Sequence, residues 1–288
     1  MTTTDKTVPR SPLGILATAT ATHDTGRDDD IALPKLPGFV ESAFSPLAYE
    51  VSGRCLTERP GDGSRTAVAL ASLMGDTTTA DLASRRVVSG RVHNPLLFMQ
   101  ATANSVLGHT SREFSITGQM FSLSTLDDPV TELLAMADLL LEDPDLDRVL
   151  VVGVELGGGD RVAAVHHELA AHSGRPLPAL PALPASAGLA AAVLLGRPGA
   201  GAPVSVRSAE TTYDTGEARQ LGGIQGLFEL AAAHRRLRRD GGSHLLVTAP
   251  DAPAFILTAA TETASTEATS TEATSTEAGN ETETHAHQ

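Results

Sequence analysis

The 288-residue chain has no tryptophan, one cysteine, two tyrosines and seven phenylalanines. So few aromatic rings leave little surface on which nucleobases could stack. With 21 basic against 35 acidic residues the net charge is −14, which repels a phosphate backbone and disfavours nucleic-acid binding. A single Cys55 excludes an internal disulfide framework and any multi-cysteine zinc site. No run approaches the roughly 18 apolar residues that span a bilayer, and the N-terminus lacks a compact apolar stretch before a cleavage site. A cytoplasmic location is therefore expected. No cofactor or metal motif emerges.

Composition otherwise falls in the globular range, with 41% hydrophobic and 19% charged residues. At roughly 150 residues per domain the length predicts one large domain or two small ones. Residues 261–288 repeat STEAT-like pentads with six Glu and no Lys or Arg, leaving about −8 for the rest of the chain. No Leu, Ile, Val, Phe or Met follows Leu257, so a disordered tail is expected. Residues 1–35 read as a loose N-terminal segment, with RDDD at 27–30 as a turn or a solvated segment.

Between these ends, strand-like and helical patterns alternate. Thr66–Met74, Val149–Val154, Gly188–Leu195, Leu245–Thr248 and Ala254–Thr258 read as strands. Pro129–Leu141 has helical spacing, with Asp128 as N-cap and Pro129 in the first turn. Ile224–Arg238 reads as a helix stopped by Gly241-Gly242, and Pro176–Pro184 as an extended loop. The alternation predicts an α/β sheet covered on both faces.

Several motifs fail on geometry. In HHELAAH (166–172) the histidines at 167 and 172 are five residues apart, about 140° around a helix, so they do not share a metal. GVELGGGD (153–160) lacks the spacing of a phosphate loop and reads as a tight strand exit. Cys55, without a flanking Lys or a partner cysteine, reads as buried and structural. Arg235, Arg236, Arg238 and Arg239 complement a helix C-terminus, and the same patch could meet an acidic carrier protein.

The informative stretch is 94–155. It runs from a helix with Asn104-Ser105 through a turn at Gly108, a Ser111-Arg112-Glu113-Phe114 element and Ile116-Thr117-Gly118 to a short strand. A sharp turn, a long helix and a buried strand ending in Gly153-Val154-Glu155 follow. With SRTAVALASLMGD (64–76) and SAGLAAAVLL (186–195), this ordered series resembles the N-terminal half of β-ketoacyl synthases, the condensing enzymes of fatty acid and polyketide assembly.

The resemblance implies a thiolase-like layered fold of α-β-α-β-α type. It divides the chain into a ketosynthase-like portion at 36–198 and a shortened portion at 199–260 that completes the sheet. Counted from Gly118, the family's nucleophilic cysteine falls on Asp127. A thiolate at a helix N-terminus accepts an acyl group, whereas a carboxylate is a poor acceptor, and Asp127 reads as a cap or lid residue. The family's two catalytic histidines are missing as well. Gly108-His109-Thr110 precedes the nucleophile turn, Gly222 and Gly223 stand where Gly-His is expected, and His234 and His244 match neither position.

The resemblance thus points to a catalytically degenerate relative, similar to chain-length-factor subunits. Such a subunit would pair with a cysteine-bearing ketosynthase and an acyl carrier protein. Contact or tunnel candidates are Phe98 and Met99 beside Leu96 and Leu97, together with Met120 and Phe121. Two alternatives stay open: an acyl-transfer or hydrolytic enzyme using Ser122, Ser124 or Asp127 with a histidine, and a non-catalytic carrier-protein or acyl-binding module.

Overall fold

The computed structural model describes residues 8–90, 95–124, 128–174, 177, 180, 183–199, 201–212, 222–248 and 252–260. The first element is a correction to the reading of 1–35 as loose. Leu13–His23 forms an eleven-residue strand, β1, inside the sheet. Its sequence LGILATATATH alternates small apolar residues with threonine. Ala17, Ala19 and Ala21 turn inward, while β-branched threonines occupy the other face, where they favour extended backbone. Just beyond it, the Asp30 carboxylate accepts the backbone N–H groups of Thr25 and Gly26, closing the expected turn.

The other elements are α1 (Phe44–Glu58), β2 (Thr66–Ser72), α2 (Thr77–Val88), α3 (Pro95–Ala101), α4 (Asn104–Phe114), β3 (Met120–Ser124) and α5 (Pro129–Leu140). They are followed by β4 (Arg148–Leu156), α6 (Asp160–Ser173), β5 (Gly188–Gly196), β6 (Val204–Thr212), α7 (Gln225–Asp240), β7 (Ser243–Val247) and β8 (Pro253–Ala259). Strand order is β3-β2-β4-β5-β1-β6-β8-β7. β3, β2 and β4 run parallel, and every other neighbouring pair is antiparallel.

The sheet consists of two blocks. β1 pairs with β5 from Gly14 to His23, but with β6 only over Leu13–Ile15, beyond an irregularity at Ile15/Ala17. A five-stranded block therefore meets a three-stranded one at the start of β1. One core packs α1 and α4 against the five-stranded block through Phe44, Leu47, Val51, Val106, Leu150 and Leu194. The other joins Leu133, Leu134, Leu227 and Leu230 of α5 and α7 to Val151 and Val193 on one side and to Val206, Phe255 and Leu257 on the other. Helices α5 and α7 thus lie between the blocks.

This is the thiolase-like α/β arrangement with one departure from the expected five layers. Among the described residues no helix covers the outer face of the three-stranded block. That face carries Ser205, Arg207 and Thr258, polar side chains that need no cover, although Leu245 is 40% exposed on it. The described residues of 199–260 supply β6, β8 and β7 of the sheet. The tail, 261–288, and most of the Pro176–Pro184 stretch lie outside the described residues.

Two glycines of the recognisable stretch behave oppositely. At Gly118 an added Cβ would run into the Thr66 carbonyl oxygen, so the approach of this segment to β2 requires glycine. Gly108, read as a turn, instead lies within α4, exposed and with open space around the position of a Cβ. Gly108→Ala removes only the entropic cost of glycine in a helix. It is expected to raise unfolding free energy by about 1 kcal/mol in urea titration.

Candidate functional site

In a sheet with parallel strands, the crevice beyond their carboxyl ends is where loops can converge around a ligand. Here β2, β3 and β4 end at Ser72, Ser124 and Leu156, and α5 starts directly across from them. Asp127 belongs to the 125–127 connection and lies outside the described residues. Its flanks are well defined. Asp128, 1% exposed, is the N-cap of α5; its Oδ2 accepts the Thr131 backbone N–H at 3.2 Å and the Thr131 hydroxyl at 2.7 Å. The hydroxyl of Thr248, just past β7, donates to the same oxygen. One carboxylate thereby ties the first turn of α5 to the late part of the chain, while Oδ1 has no hydrogen-bond partner among the described residues.

Glu155 sits two residues from Gly153 on β4, and its Oε1 accepts the Leu73 backbone N–H at 2.6 Å. Burial pushes its carboxyl up to about 7, against the opposing pull of hydrogen bonds from Leu73 and Ser72. Ser72 Oγ in turn accepts the Gly75 N–H at 2.9 Å. The Ser124 hydroxyl donates to the Leu73 carbonyl at 2.8 Å, tying the end of β3 to the β2 exit. The glycine-rich start of α7 closes the group. A 3-10 turn at Gly222–Ile224 rests on β4 and α5, and a Cβ at Gly153 would meet Leu227.

The structure therefore brings Asp128, Gly153–Glu155 and Gly222–Gly226 together. The other candidates lie elsewhere. Cys55 is fully buried in α1 on the opposite face of the five-stranded block. Its thiol lies 3.6 Å from the Ala192 carbonyl oxygen, and burial pushes its pKa up to about 12. His109, on α4, packs edge-on against Phe39 and Tyr49, with ring centroids 6.4 and 5.3 Å away. His234 lies deep in α7, its Nδ1 3.0 Å from the Thr18 hydroxyl of β1. Burial lowers its pKa to about 4, helped by Arg238. Neither ring is hydrogen-bonded to Ser122 or Ser124.

The remaining motifs resolve simply. In α6 His172 Nδ1 lies 2.7 Å from the Glu168 carbonyl oxygen, and no cluster of metal ligands occurs among the described residues. At the β4 exit the Gly157 N–H donates to the Ala187 carbonyl at 2.7 Å, which makes GVELGGGD a tight strand-exit loop. No described helix is long and apolar enough to cross a membrane.

The surface beside the crevice is apolar. β3 is an edge strand, bonded to β2 alone, with Met120 and Phe121 half-buried. On α3, which packs on α4 and so reaches β3 only through that helix, Leu97 is buried, but Leu96, Phe98 and Met99 are 57%, 52% and 62% exposed. Val88, at the end of α2, which packs on α3, is 88% exposed. The sequence reading passed over Val88 and the Asp128–Thr248 contact; exposed valine at a helix end was the available signal for the first.

No family model matches the sequence, and no curated protein matches it. Solved structures do. A structure described as a ketosynthase, ApeO, in complex with its chain length factor, ApeC, from Xenorhabdus doucetiae is 16% identical. It matches over 86% of this chain and 100% of its own, with a TM-score of 0.54. A second, described as a type II polyketide acyl-carrier protein in complex with its ketosynthase bound to the hexaketide (AntDE:AntF), is 10% identical. It matches over 87% of this chain and 100% of its own, with a TM-score of 0.57. The chain has the fold of ketosynthases and their chain-length-factor partners, a thiolase-like α/β architecture.

Proposed function

We propose that this chain is a non-condensing ketosynthase-like subunit of fatty acid or polyketide assembly. It pairs in the cytoplasm with a cysteine-bearing ketosynthase, served by an acyl carrier protein, and contributes packing surface rather than bond-forming chemistry. The observation that carries this reading is the position of the sole thiol. Condensation needs a nucleophilic sulfur at the start of the helix that follows β3. Cys55 is buried on the other face with its pKa raised, and the sequence places Asp127 at the nucleophile position.

The edge strand β3 and the exposed side chains of α3 support pairing, because an open strand edge and an exposed apolar patch are each marks of an interaction surface. Phe98 and Met99 are the anchors in this reading; of the tunnel candidates on β3, Met120 packs towards the core of α1 and α4 and Phe121 towards that of α5 and α7, so each serves a different face of the sheet. The structural neighbours, one described as a ketosynthase with its chain length factor, support the kind of partner.

The test is affinity co-purification with a cysteine-bearing ketosynthase co-expressed from the same genome. One-to-one recovery is expected. Phe98→Asp together with Met99→Asp should weaken it by about 10- to 100-fold, the equivalent of burying one or two large apolar side chains. Incubation of the isolated chain with a radiolabelled acyl carrier thioester should leave it unlabelled. Covalent label on the isolated chain would overturn the reading, as would failure of the pair to form.

A further inference from the structure

Helices α2 and α3 are fastened to the body differently from the others. Of the twelve residues of α2 only Thr79 and Ala83 are buried, and of the described side chains of α3 only Leu97 is. Helix α5, of the same length as α2, buries eight residues. The apolar packing that normally supplies a helix with its stability is thus nearly absent from α2, which lies on α3, while α3 meets α4. Its fastenings are polar instead. The N-cap Asp76 accepts the Ser42 hydroxyl at 2.8 Å, from the segment ahead of α1, and Arg86 lies 3.8 Å from Glu41 of the same segment. Asp81 pairs with Arg161 of α6 and with Arg85 of its own helix. Ion pairs this open to solvent contribute little.

The attachment has a fixed point and a pivot. Leu73, at the β2 exit, is pinned from both sides, its N–H by Glu155 and its carbonyl by Ser124. Two residues on, Gly75 has φ of +66° with open space around it, a backbone state that only glycine enters and leaves at little cost. Between the α2–α3 pair and the start of α1 runs a narrow polar cleft lined by Ser42, Ser45, Asp76, Thr79 and Gln100. It is too narrow for a water molecule, and the Ser45 hydroxyl is buried there with no hydrogen-bond partner among the described residues. Opening the cleft gives that hydroxyl water as a partner and so offsets part of what opening costs.

We propose that α2 and α3 swing away from the body as one arm, pivoting at Gly75 and held shut by the contact of Asp76 with Ser42. The arm carries Val88, Leu96, Phe98 and Met99, so the apolar surface it presents is adjustable rather than rigid. What that surface meets rests on the pairing reading above. The motion itself does not, and it is tested on the chain alone, so either can fail without the other.

Cys55 supplies an internal reference, because a thiol fully buried under α1 reacts only when the whole chain unfolds. Full-length Ala83→Cys and Leu97→Cys variants are labelled with a maleimide, and each rate is divided by that of the same thiol in urea. Local opening should make positions 83 and 97 react about 100-fold faster than Cys55 in the same molecule. Rates equal to that of Cys55 would overturn the arm. Adding Asp76→Ala should speed both positions by about tenfold and leave Cys55 unchanged. Acceleration at 83 alone would refute the arm by showing α2 fraying on its own, and acceleration at neither would refute the clasp. Slow labelling of Cys55 throughout shows that each variant is folded. Hydrogen exchange on the native chain needs no substitution: the amides of α2 and α3 should exchange together and faster than those of α5, and protection equal to α5 would overturn the proposal.

Discussion

Asp128→Ala should lower the unfolding free energy by about 3–5 kcal/mol, a large part of the 5–15 kcal/mol typical of whole domains. Losing an N-cap costs about 1 kcal/mol. The larger share comes from the hydroxyls of Thr131 and Thr248, which lose their acceptor in a buried setting, at about 1–3 kcal/mol each. Asp128→Asn keeps an acceptor oxygen in place and should recover at least half of the loss. Urea titration of the two variants checks this. If Asp128→Ala costs no more than an ordinary cap, the link between α5 and the end of β7 contributes nothing to stability.

Stability should be nearly flat between about pH 4.5 and 6.5, because two buried groups oppose each other there. Glu155 has its pKa raised from 4.5 to about 7 in the folded chain. Its contribution is complete below pH 4.5 and is lost as pH rises through 7, since the unfolded chain ionises first. His234 has its pKa lowered from 6.5 to about 4. Its contribution is complete above pH 6.5 and is lost as pH falls towards 4, since the unfolded chain takes up the proton first. Each shift is worth about 3 kcal/mol in total, with a slope of about 1.4 kcal/mol per pH unit. Glu155→Gln should expose the histidine alone, with stability rising with pH across the window; His234→Asn should reverse the slope. Denaturant titrations at pH 4.5, 5.5 and 6.5 measure it. Parallel pH profiles for the two variants would refute the assignment.

The legible parts of the fold were those whose local pattern agreed with their tertiary role. β5 is a continuous apolar run and β4 is one from Val149 to Val154; every residue of each strand is buried, and both were readable to within about two residues. α5 announced itself through Asp128 and Pro129, and its observed end differs by one residue. β1 did not, because its threonines look like loop composition until helix α1 is packed over its alanines. Gly108 looked like a turn because isolated glycine often marks one; here the buried Val106, Leu107 and Thr110 on either side of it keep this stretch helical in α4.

The site was legible as a series of motifs but not as an assembly. Asp128 and Thr248 are 120 residues apart, and nothing local to either announces their hydrogen bond. The glycine-rich start of α7 was recognisable, whereas its seat against Gly153 depends on how closely a helix can approach a strand without a side chain. The isolation of Cys55 and His109 from the crevice is a consequence of sheet faces, which α1 and α4 share and α5 does not.

The placement of β1 has a consequence for how the chain reaches this state. Among the described strands it is the earliest to be translated, yet both its neighbours, β5 and β6, lie beyond residue 187. At roughly 5–20 residues per second, translation must run for about ten seconds or longer before either can dock. During that interval the threonine–alanine ribbon has open edges on both sides, so nascent chains are exposed at this strand to miscoupling between neighbouring ribosomes.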